Sequence, residues 1–139
     1  MKLRNLILFA VVCALALPTF AASPVKSGKW QTTIEMDMPG MPMKMPPMSH
    51  TTCITKEQAE DATNAIPKND KQSGCTFSDV KVDGSTISWK MTCEKQQMTG
   101  TGTVTYAGDS YTGKMDMKVA DREMHMKYSG KRLGDCDEK

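Results

Sequence analysis

The chain has 139 residues, with 18 lysines and arginines against 16 acidic side chains, for a formal charge of +2 at neutral pH. A charge this small excludes binding to nucleic acid or anionic lipid through a long-range basic field, and the length suits one domain rather than two. Two residue types stand out, 13 methionines and five cysteines, and both must be placed before any function is read.

The N-terminus has the three parts of a secretory signal. Lys2 and Arg4 supply the positive start, Leu6 to Leu17 is an almost unbroken apolar run, and Pro18-Thr19-Phe20-Ala21-Ala22 offers a cleavage site. Cutting after Ala21 leaves Thr19 and Ala21 at the two positions that must be small. Cutting one residue later would put Phe20 at one of them. The apolar run falls well short of the roughly 20 residues that cross a bilayer. We therefore expect residues 1–21 to be a signal peptide and residues 22–139 to form a single periplasmic or secreted domain with no membrane span. Loss of Lys2 and Arg4 takes the 18 basic residues to 16, equal to the 16 acidic ones. Cys13 leaves with the signal, and Cys53, Cys75, Cys93 and Cys136 remain. Four cysteines in an exported domain read as two disulfides, and their spacing fits neither a Cys-x-x-Cys redox motif nor a zinc ribbon.

In chain order, the first extended segment carries Trp30, Thr32, Ile34 and Met36 on one face. A methionine- and proline-rich segment, 36–48, follows, and its prolines, which lack an amide donor, predict a loop or a sheet edge. A strand resumes over 49–54. Thr55-Lys56-Glu57-Gln58 fits a capping box, with Thr55 as N-cap and Gln58 reaching back. It predicts one short helix running to the neighbourhood of Ala65 and stopping before Pro67, then a polar loop over 68–74.

From Cys75 onward the pattern is strands and tight turns, with turn signals at Asp83-Gly84, Gly108-Asp109 and Ala120-Asp121. A loop at Gly108-Asp109 sets Tyr106 against Tyr111, Val104 against Gly113 and Gly102 against Met115. A loop at Ala120-Asp121 sets Met117 against Met124 and Met115 against Met126, while Lys118 meets Glu123 and Asp116 meets His125 on the other face. A one-residue slip would mix these sets, so the pairs specify the register. Through the 94–97 loop, Cys93 meets Met98 and the Trp89 ring lies over Gly102. One face then collects Trp89, Met91, Tyr106, Tyr111, Met115, Met117, Met124 and Met126, with Ile87, Val104 and Tyr128. The other collects Thr99, Thr101, Thr103, Thr105 and Thr112 with Lys114, Lys118 and Lys127. The expected fold is mainly β: a single antiparallel meander of about six to seven strands, curved sheet or half-barrel, with one dry face, one wet face and one short helix.

A three-residue loop over Asp83-Gly84-Ser85 would pair Val82 with Thr86 and put Cys75 opposite Cys93. A two-residue loop would put Cys75 opposite Thr92 unless a bulge intervened. The expected disulfides are Cys75–Cys93 and Cys53–Cys136.

Several of these residues together form a familiar order. Gly28-x-Trp30 opens the domain, followed by the Met-Pro segment and Cys53-Ile54-Thr55. Further on come Cys75, Trp89-x-x-x-Cys93, Gly108-Asp109-Ser110-Tyr111-x-Gly113 and Leu133-Gly134-Asp135-Cys136. This order resembles an exported bacterial family known as domain of unknown function thirty-six seventeen, over essentially the whole mature chain. The resemblance implies a Gram-negative envelope setting and brings no activity, substrate or catalytic residue with it.

The Met-Pro segment holds six methionines, Met36, Met38, Met41, Met43, Met45 and Met48, with His50 just beyond. Thioethers are soft ligands that suit Cu(I), so these seven residues are the copper candidates. The competing reading, which we favour, is an apolar strap over the dry face that uses methionine as an adaptable filler; on it no metal or cofactor is bound. Met124-His125-Met126 offers a second ligand set, but in a strand His125 points away from both methionines. The only two histidines, His50 and His125, sit in no nucleophile or metal motif, and no glycine cluster has the strand–loop–helix setting of a phosphate loop. The expectation is a non-enzymatic binding module that takes a small apolar ligand or the apolar segment of an envelope protein. The alternative is a periplasmic Cu(I)-binding protein using 36–48.

Overall fold

The computed structural model describes residues 22–42, 45–66 and 74–137. The expected signal peptide, Met43 and most of the polar loop lie outside those residues. The elements are strands β1 (Gly28–Asp37) and β2 (Met48–Ile54), helix α1 (Lys56–Glu60), a 3-10 turn (Ala62–Ala65), then strands β3 (Cys75–Asp83), β4 (Thr86–Cys93), β5 (Met98–Ala107), β6 (Ser110–Val119) and β7 (Arg122–Gly134).

All seven strands join one antiparallel sheet in the order β2-β1-β7-β6-β5-β4-β3, which is open, with β2 and β3 at its edges. Strands β3 to β7 run as the expected meander. The hairpin of β1 and β2 docks on the outer side of β7, where Ile34 meets Tyr128 and Met36 meets Met126. That pairing is non-sequential, and it is the one link that local turn chemistry does not announce.

The turns fix the rest. Ala107 pairs with Ser110 and Val119 with Arg122, so both loops have two residues, with Gly108 at φ 65° and Ala120 at φ 51°. The β3–β4 connection differs from the expected three-residue loop. Asp83 pairs with Thr86 across Gly84-Ser85, and the register shifts between Ser78 and Lys81, where Asp79 and Val80 together oppose Trp89. Asp79 adopts φ 52° in this bulge, and its carboxylate meets the Lys90 ammonium at 2.7 Å. The extra residue moves the register by one and brings Cys75 opposite Cys93.

The capping box closes on α1. Thr55 Oγ1 accepts from the Gln58 amide at 3.2 Å, and Gln58 Oε1 accepts from the Thr55 amide at 2.9 Å. The single expected helix is interrupted at Asp61, which leaves helical geometry (φ −111°, ψ 109°) and caps the following 3-10 turn through the Thr63 amide. Bonding its own backbone in this way is what makes Asp a poor residue for a helix interior.

The core has two parts. Val25, Ala59, Ala62 and Ile66 cover one half of the apolar face, packing with Trp30, Ile87, Trp89, Val104 and Tyr106. The other half is built on Met91, Cys93 and Met117, with Met98, Met115, Met124 and Met126 partly buried against them. Trp89 therefore belongs to the aromatic half rather than among the methionines, and Phe77 touches both. Three aromatic rings lie over glycines on the neighbouring strand: Trp89 over Gly102, Tyr128 over Gly113 and Tyr111 over Gly130, and a Cβ at any of the three would enter the ring. Disulfides join Cys53 to Cys136 and Cys75 to Cys93, so each edge strand carries one. Among the described residues no helix is long and apolar enough to cross a membrane.

Candidate binding face

The covered half of the apolar face is tightly partnered. Trp30 stacks at a tilt on Tyr111 (centroids 5.4 Å apart) and edge-on to Tyr106 (6.2 Å), and its Nε1 donates to the Lys26 carbonyl at 2.9 Å. The Thr32 and Tyr111 hydroxyls share a hydrogen bond of 2.5 Å, and the Tyr128 hydroxyl donates to the Thr103 carbonyl at 2.7 Å. Burial pushes the Tyr106 hydroxyl up to about 12, helped by the neighbouring Tyr111. Burial also raises Tyr111, against the opposing effect of Thr32, and raises Tyr128. Beneath the helix a cavity of about 240 Å³ opens between Trp30, Tyr106, Tyr111, Thr32, Gln58 and Ala65. Nothing in the sequence pattern announces it, because it forms only where β1 and the helix meet across the sheet.

The methionine half is different. In register, Met36, Met126 and Met115 form one row across β1, β7 and β6, and Met124, Met117, Gly100, Met91 and Phe77 form the next row across β7 to β3. Met91 and Met117 are buried, whereas Met36, Met115, Met124 and Met126 are only half-buried. Val25, α1 and the 3-10 turn all pack on the aromatic half, and no described element joins the methionine cluster from above.

Among the described copper candidates of the Met-Pro segment, Met36 and His50 are held apart on the sheet. Met36 joins the strand methionines through Met126. Met41, Met45 and Met48 are 54 %, 42 % and 53 % exposed, Met38 is half-buried, and His50 is exposed on the edge strand opposite Thr32. By strand rise His50 stands about 13 Å along the sheet from Met36. Met45, Pro46 and Pro47 line a cleft of about 780 Å³ together with the strand methionines Met36 and Met126 and with Glu35, Asp37, Lys114, Asp116, His125 and Lys127. This part of the segment therefore borders both charged strand positions and two of the half-buried methionines. His125 bonds Asp116 at 2.7 Å on the polar face, away from Met124 and Met126 as strand alternation requires. Among the described residues no three His, Cys, Asp or Glu side chains are grouped as a metal site.

Fold and face together define a small, disulfide-stapled, open antiparallel sheet domain whose apolar face is covered over only one half. Over residues 25–136 the chain matches the model of the family described as "Protein of unknown function (DUF3617)", and it belongs to that family. A curated relative from Pseudomonas putida, described as an uncharacterized protein in the lpd-3 5′ region, is 28 % identical over 140 residues, covering 78 % of this chain and 95 % of that protein. No solved structure matches the chain.

Proposed function

We propose that this is an exported, non-enzymatic binding module of the bacterial envelope, which takes the apolar segment of a partner protein on the methionine half of its sheet. The observation that carries the reading is the unequal cover: helix and N-terminal segment pack on the aromatic half, and Met115, Met124 and Met126 stay half-exposed. Methionine suits such a surface, since its unbranched thioether side chain repacks around differing shapes. Small-ligand pockets ordinarily measure roughly 300–1,000 Å³ and bury most of the ligand's surface, and the cleft of that size beside Met45 is lined by five charged side chains. The cavity under the helix, about 240 Å³, is smaller than that range. A polypeptide segment, which needs only one apolar surface, fits better. The two disulfides and the signal-like N-terminus support an oxidising, exported setting.

The test is fluorescence titration of the mature protein with a labelled amphipathic leucine/lysine helical peptide. Met124→Lys and Met126→Lys should each abolish binding, and Thr101→Lys on the polar face should leave it unchanged. Failure of the parent protein to bind, or equal binding by all variants, would sink the proposal.

A further inference from the structure

The strand pairing brings together a donor set outside the Met-Pro segment. Met115 lies directly opposite Met126, and Met117 directly opposite Met124. Residues two apart on a strand share a face, so all four side chains project from one side of the sheet. Directly opposite residues are separated by about 4.5–5.5 Å, and next-but-one residues on a strand by about 7 Å. The four Cβ atoms thus mark a rectangle whose centre is roughly 4 Å from each corner. A thioether sulfur sits two bonds beyond Cβ on freely turning torsions, so all four sulfurs can converge there. Met117 is buried at the floor, and Met115, Met124 and Met126 are packed against it but half-exposed, which leaves one open side for an entering ion. Met36, beside Met126 in the same row, adds a fifth thioether at the margin.

We infer that Met115, Met117, Met124 and Met126 form a site for a soft monovalent cation, Cu(I) or Ag(I). Strand positions facing a core ordinarily favour valine, isoleucine and aromatic residues. Four methionines at consecutive inward positions of two adjacent strands supply what those residues lack, a soft neutral donor. Thioethers select Cu(I) over the harder divalent ions. They also carry no proton in the physiological range, so binding releases none, in contrast to cysteine or histidine sites. The site does not depend on the peptide-binding reading, although it uses the same face.

The experiment is a titration of the mature protein, disulfides intact, with Ag(I) while methionine methyl signals are followed by carbon-13 NMR. The methyls of Met115, Met117, Met124 and Met126 should shift and saturate at one equivalent, with those of Met41, Met43, Met45 and Met48 unmoved. Cu(I) affinity, measured against a chromophoric chelator with a disulfide-sparing reductant, should be flat from about pH 5.5 to about pH 8, across the range where histidine titrates. The variant M115L/M117L/M124L/M126L keeps the bulk and apolarity of the face. It should lose more than about a hundredfold in Cu(I) affinity, beyond the 10–100-fold of a lost outer-shell partner. M124L/M126L, a milder change, should lose affinity in the same direction. Saturation at the Met-Pro methyls instead, no saturation at one equivalent, affinity that falls as histidine protonates, or unchanged affinity in the leucine variants would each overturn the site. Loss of peptide binding in the lysine variants reports on the other proposal alone.

Discussion

A single methyl group at Gly102 probes how the aromatic half of the face is built. Trp89 stands directly opposite Gly102, and an ideal Cβ there would lie 2.8 Å from the indole nitrogen and closer still to ring carbons. Trp89 is only 6 % exposed, so the ring has no free space to move into. Gly102→Ala should cost about 1–3 kcal/mol by overpacking, although alanine is otherwise favoured over glycine in a strand by roughly 0.5–1 kcal/mol. Trp89→Ala should cost about 3–5 kcal/mol as a large core truncation. The low end is expected, because the Trp89 Nε1 is buried with no hydrogen-bond partner among the described residues and its removal ends a penalty of about 1–3 kcal/mol. In the double variant the new methyl meets the space the ring has left, so the pair should cost no more than Trp89→Ala alone. The coupling energy is then about 1–3 kcal/mol, within the range for residues in contact. Urea denaturation with disulfides intact measures it, using the fluorescence of Trp30, which is 1 % exposed and survives in every variant. If Gly102→Ala costs the same in both backgrounds, the ring does not rest on the glycine. A loss below about 1 kcal/mol for Trp89→Ala would refute the packed core altogether.

Alkali should destabilise the fold through its tyrosines. Burial raises the hydroxyls of Tyr106, Tyr111 and Tyr128 above the ordinary value of 10.0, so above that pH the unfolded chain binds fewer protons than the folded one. Stability should be level below pH 10 and fall as pH rises toward 12; tyrosinate absorbance appearing at pH 10 in a protein still folded would contradict this. Opening Cys53–Cys136, which spans 83 residues, should cost about 4–5 kcal/mol by loop entropy, against about 3 kcal/mol for Cys75–Cys93, which spans 18. Paired serine variants compared by denaturation check the order, and a reversed order would refute it. Replacing Met41, Met43 and Met45 with leucine should change stability by less than about 0.5 kcal/mol; a larger loss would mean the segment packs on the core after all.

The meander was legible because its registers rest on local signals. The Gly108-Asp109 and Ala120-Asp121 turns, together with the Lys118/Glu123 and Asp116/His125 pairs, leave one consistent alignment of β5 to β7. The β3–β4 turn was less so, since a two-residue loop with a bulge and a three-residue loop reach the same Cys75–Cys93 register, and nothing in Asp79-Val80 marks the bulge. The place of β1 was not legible. Trp30, Thr32, Ile34 and Met36 announce an amphipathic strand, but pairing with β7 depends on contacts made about a hundred residues away along the chain. The candidate site suffers from the same gap. The Met115/Met126 and Met117/Met124 pairs could be read from the turn, whereas the addition of Met36 and the one-sided cover by α1 follow from packing that periodicity does not encode. The Met-Pro segment drew attention by composition alone, and composition does not say which methionines share a face.

The two disulfides also set a timetable. Cys75 and Cys93 lie on sequential strands and can be joined as soon as their hairpin is made. Cys53 must wait for Cys136, 83 residues later, so a chain synthesised from its N-terminus cannot fasten β2 until nearly all of it exists. During that interval Cys53 is a free thiol with two wrong partners, Cys75 and Cys93, available before the right one. Early closure of Cys75–Cys93 takes both wrong partners out of reach. The short bond thus acts as a guard for the long one, and a Cys93→Ser chain should accumulate Cys53–Cys75 cross-links that the parent sequence avoids.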